Sequence, residues 1–91
     1  MDSNIRLYSE IEGYEIVNVN DGEKYCSLSN HDIIVDDEGN MKSLVLNKSA
    51  GAINFFSKNE YYELPFNLVK KIGAKTIIID AKEDQFIKAH L

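Results

Sequence analysis

The sequence predicts an all-β fold: a small six-stranded β-barrel with one short helical turn and a C-terminal helix. Three observations carry that expectation. Two acidic glycine turns, Asn20-Asp21-Gly22-Glu23 and Asp36-Asp37-Glu38-Gly39-Asn40, each separate short stretches of strand-forming residues. Their glycines supply the positive φ that tight hairpins need. β-Branched runs occur at Ile33-Ile34-Val35 and Thr76-Ile77-Ile78-Ile79, and such residues favour strands. The single proline, Pro65, ends a further strand at 61–64, because it cannot donate to a ladder. All these turns are local, so no parallel strand pair is expected, and helix should stay below about one-third of the chain.

The elements follow in order. Residues 6–13 read as a lead-in, with Ser9 capping one helical turn through Glu12 and Gly13 ending it. Residues 15–20 read as a strand with Val17 and Val19 on one face, and 24–28 as its return. Ile33-Ile34-Val35 pairs with 41–46, where Leu44 and Leu46 face one way and Ser43 and Val45 the other. Residues 47–60 are the longest irregular stretch. After Pro65, Asn67 caps a helical turn over 67–72 holding Leu68, Val69 and Ile72, closed by Gly73. Thr76-Ile77-Ile78-Ile79 is the last strand. Residues 81–91 have the spacing of an amphipathic helix, with Phe86, Ile87, His90 and Leu91 near one face. The chain thus divides into a barrel domain at 1–80 and a C-terminal extension at 81–91.

At 91 residues and 44% apolar composition the chain is one domain with one small core. There is no room for two lobes with a cleft between them. Nine aromatic residues argue against disorder. No strictly apolar run exceeds three residues and Met1-Asp2-Ser3-Asn4-Ile5-Arg6 is no secretory signal, so neither a membrane span nor export is expected. Cys26 stands alone, which fits a reducing cytoplasm. The net charge of −5 is uneven: residues 1–40 hold ten acids against two bases, and residues 41–91 hold five acids against eight lysines. A nucleic-acid binder usually shows an arginine-rich stripe. Arg6 is the only arginine and the lysines are scattered, so nucleic acid is disfavoured as a partner.

No catalytic, cofactor-binding or metal-binding residues are expected. The loop at 36–40 lacks the alternating ligand spacing of a calcium site. Cys26, His31 and His90 lack the close pairing of a zinc site and read as a packed cysteine and two surface histidines. Gly22, Gly39 and Gly73 serve turns and not a phosphate loop. The aromatic loop is the informative feature. Phe55 and Phe56 are adjacent in a polar loop, so they either plug the barrel end or dock a partner. Ile53, Phe55, Phe56, Lys58 and Tyr61 form the expected partner-binding surface.

Three segments carry a family resemblance: 7–18, followed by Asn20-Asp21-Gly22-Glu23-Lys24; 32–46, a strand, an acidic glycine hairpin and an apolar strand; and Leu64-Pro65-Phe66-Asn67-Leu68-Val69-Lys70-Lys71-Ile72-Gly73, followed by Thr76-Ile77-Ile78-Ile79-Asp80. In order and spacing they resemble the PRC-barrel family, and within it the small stand-alone YlmC/YmxH group of spore-forming Firmicutes, described as sporulation proteins. The chain departs from that group at 24–32, where bulkier residues replace two glycines, in a less basic aromatic loop, and in the tail beyond Ala81. The resemblance implies a PRC-type barrel over about 14–80 and a non-enzymatic, sporulation-associated adaptor with an unidentified protein partner. It also implies an alternative, a ribosome- or RNA-associated accessory factor similar to the PRC part of RimM, the ribosome-maturation factor. Open strand edges in so small a barrel make a homodimer expected.

Overall fold

In the computed structural model, which describes residues 5–47 and 61–89, both acidic glycine turns form. Gly22 and Gly39 take left-handed conformations, with φ of 77° and 88°. Asp36 organises the second turn, its carboxylate accepting from the amides of Asn40 at 2.8 Å and Glu38 at 3.0 Å. These bonds, the Asn40 amide foremost, hold the Asp36 carboxyl below its ordinary pKa. The first turn is wider than the expected two-residue hairpin. Strand β1 (Glu15–Asn18) stops at Asn18 and β2 (Lys24–Ser27) returns. The Asn18 amide bonds to the Glu23 carbonyl at 2.9 Å, and the Gly22 amide bonds back to the Asn18 carbonyl at 2.8 Å. Those two bonds close the loop before residue 20 can extend the strand.

The remaining strands are β3 (Asp32–Val35), β4 (Met41–Asn47), β5 (Tyr61–Pro65), β6 (Val69–Ile72), β7 (Thr76–Ile79) and β8 (Ile87–Lys88). A short helix α1 (Tyr8–Ile11) precedes them. Among the described residues eight strands therefore replace the expected six. They form two four-stranded sheets, ordered β2-β1-β7-β6 and β3-β4-β5-β8, instead of one closed barrel.

Three further expectations are corrected. First, β1 and β7 pair in parallel, from Glu15 opposite Thr76 to Asn18 opposite Ile79. A parallel pair needs a long crossover, and the chain from β2 to β6 supplies it. Second, the helical turn at 67–72 is confined to a 3₁₀ turn at Phe66–Leu68. Val69 and Ile72 are β-branched and pair with Ile79 and Ile77 of β7 as strand β6. Third, the C-terminal helix does not form among the described residues. Glu83–Gln85 is a 3₁₀ turn, and Ile87–Lys88 adds a strand to the edge of β5. The Ala89 amide extends that ladder to the Tyr61 carbonyl at 2.8 Å.

The core lies between the sheets. Ile16, Leu46, Leu64 and Ile79 are fully enclosed, each worth about 1.5–3 kcal/mol of burial. Leu44 and Leu46 face this core as expected. Val45, on the opposite face of β4, is also buried. On β1 the core-facing pair is Ile16 and Asn18, and Val19 is exposed. No helix among the described residues is long and apolar enough to cross a membrane.

Candidate docking site

The interior has two contrasting ends, which β4 connects. Leu46 sits opposite Tyr62 at one end, and Met41 lies at the other. At the first end Asn18, wholly buried, acts as a polar hub. Its amide group donates to the Ala81 carbonyl at 2.9 Å and accepts from the Ala81 amide at 3.0 Å. The side chain thereby pairs with the C-terminal segment as a neighbouring strand would. It also accepts from the Asn20 amide at 3.1 Å. Beyond Ala81, Phe86 stands between the sheets, 6.4 Å from the Tyr25 ring and 6.2 Å edge-on from Tyr62. Burial, with Asp21 and Glu23 nearby, pushes the Tyr25 hydroxyl above its usual pKa.

At the other end the sheets enclose a cavity of about 250 Å³. Its walls are Ile33 and Leu44 from one sheet and Val69, Ile72 and Ile77 from the other. Ile11, Leu28 and Phe66, all from short helical turns, complete the apolar lining. The mouth carries Arg6, Tyr8 and Met41. Tyr8 and Met41 are 51% and 54% exposed, and the neighbouring Leu7 is exposed at 61%. Exposed large apolar side chains around an apolar cavity are the features of a contact site.

Of the residues the sequence singled out, Ile53, Phe55, Phe56 and Lys58 lie outside the described residues. Tyr61 is half-buried at the start of β5 and holds β8 through its carbonyl. His31 is not the surface histidine expected. Its Nε2 bonds to the Tyr25 carbonyl, and its Nδ1 accepts from the Asn47 amide at 3.0 Å. The ring therefore bridges the two sheets as a neutral imidazole, both nitrogens engaged and neither open to a metal. Burial pushes its pKa below the ordinary value. Cys26 is half-buried in β2 at a positive φ of 48°, where the β1–β2 register shifts. Among the described residues no group of three or more His, Cys, Asp or Glu side chains is placed to hold a metal.

Sequence reasoning missed the cavity, because a void between sheets leaves no local pattern. The sequence marks Arg6 only as the lone arginine and Met41 only as the start of a strand.

Comparison with known proteins places the whole arrangement. Residues 3–86 match the PRC-barrel domain model. The chain is 31% identical over 75 residues to "Probable sporulation protein YlmC" of Bacillus subtilis, an alignment covering 82% of this chain and 91% of that protein. No solved structure matches the chain. With almost its full length matched, the chain belongs to the PRC-barrel domain family.

Proposed function

We propose that this chain is a non-enzymatic protein-interaction module, an adaptor working in the cytoplasm in a sporulation-associated setting. The single observation that supports this most is the apolar cavity, open to solvent and rimmed by half-exposed Tyr8 and Met41. A partner that seats an apolar side chain there removes both cavity surface and rim from water. Family membership and the printed name of the Bacillus relative support the setting. Phe55 and Phe56 keep their place in this reading as a second contact surface.

Site-specific photo-crosslinking in the cells that make the chain tests the reading. A benzoylphenylalanine at position 41 should give one discrete protein adduct, while the same group at exposed position 19 should give none. Equal labelling from both positions, or none from position 41, overturns it.

A further inference from the structure

We infer that the cavity end receives a peptide segment bearing one large aliphatic or aromatic side chain beside a carboxylate, so that the partner presents an apolar-acidic motif. This rests on the reading of the chain as an interaction module and specifies the partner at that same site. The socket is apolar, with Ile33 and Leu44 facing Ile72 and Ile77 across about 250 Å³. Pockets for whole drug-sized ligands start near ~300 Å³, so this one suits a single anchoring side chain.

Among the described residues Arg6 is the one charged side chain lining the socket. Among the described residues no carboxylate lies within ion-pair distance of its guanidinium. The guanidinium donates to the Tyr14 hydroxyl at 3.3 Å. The rest of its five-donor fork is available for a carboxylate. Strand β6, which gives Val69 and Ile72 to the wall, carries exposed Lys70 and Lys71 between them. Glu10 and Glu12, like Lys70 and Lys71, are exposed close to the socket in sequence without lining it, which leaves Arg6 to set the charge of the lining. In a chain of net charge −5, an apolar socket whose lining charge is the Arg6 guanidinium complements an apolar-acidic peptide and disfavours a basic one.

Selection of a random seven-residue peptide display library against the full chain tests the inference. The expected consensus is a large apolar residue with Asp or Glu within two positions. Arg6→Glu should weaken the selected peptides about five-fold and turn a fresh selection towards Lys or Arg beside the apolar residue. Met41→Trp, which fills the mouth from a half-exposed position, should weaken them as well. Circular dichroism melting confirms that both variants are folded. A consensus without acid, or peptides indifferent to both substitutions, overturns the inference and leaves the adaptor reading standing. No enrichment by the folded chain overturns both.

Discussion

At one end of the interior the chain supplies its own plug: Phe86 stands between Tyr25 and Tyr62, Asn18 grips Ala81, and the groove of about 460 Å³ left beside Tyr25 and Phe86 is edged by the polar side chains of Asn20, Asp21, Glu23 and Glu83. At the other end Arg6, Tyr8 and Met41 surround a cavity of about 250 Å³. Both ends are bounded by the same two sheets, so the difference does not come from the strands. It comes from what the flanking segments deliver. The C-terminal segment brings an aromatic plug and a backbone pair for Asn18, whereas the N-terminal lead-in brings a half-exposed tyrosine and a cation. The filled end thus serves stability, and the open end is the one the proposed function assigns to a partner.

Substitutions should divide along that line. Asn18→Ala orphans the Ala81 amide and carbonyl inside the core and should lower the unfolding free energy by about 3 kcal/mol in urea titrations. Phe86→Ala removes the plug, and because Phe86 is only partly buried the loss should be about 2 kcal/mol. Thermal melting should show it as a drop of roughly 8–16 °C.

His31 sits between the two regimes. Its pKa lies below the ordinary 6.5 because it is buried. The unfolded chain therefore takes up a proton first as pH falls. The stability contributed by the bridge is present above pH 6.5 and is lost as the pH drops below it. Melting temperatures between pH 7.5 and 5 should fall more steeply for the wild-type chain than for His31→Gln, which keeps a donor and an acceptor without titrating. Equal slopes would break the assignment of the bridge. The smallest effect belongs to the open end, where Met41→Ala should change stability by no more than about 0.5 kcal/mol in the same titrations.

Much of the fold was legible because its signals are local. Asp36-Asp37-Glu38-Gly39-Asn40 encodes its turn through one carboxylate and one glycine, and Leu44 and Leu46 show their facing by alternation. The parallel pairing of β1 with β7 joins residues from opposite parts of the sequence, and no short window records it. The segment 81–91 misled because Phe86 and Ile87 share a helical face on paper, whereas Phe86 is claimed by two tyrosines and Ile87 by the edge of β5. Asn18 carries no local signal of burial, and its tertiary partner Ala81 is what makes that burial tolerable. The membership of the family was readable from three ordered segments. The cavity was not, since it depends on how far apart two sheets are held.

If the two ends of the interior differ as their flanking segments do, one accepts an apolar group and the other does not. Titrating isotopically labelled protein with benzene while recording methyl shifts tests it directly, since an apolar lining offers water no hydrogen bonds and yields to an apolar probe. Saturable shifts are expected at Ile33, Leu44, Ile72 and Ile77, which line the cavity, with none at Leu46 or Ala81 beside the filled end. Shifts at both ends, or no saturable shift at the cavity, would show that the two ends do not differ in this way.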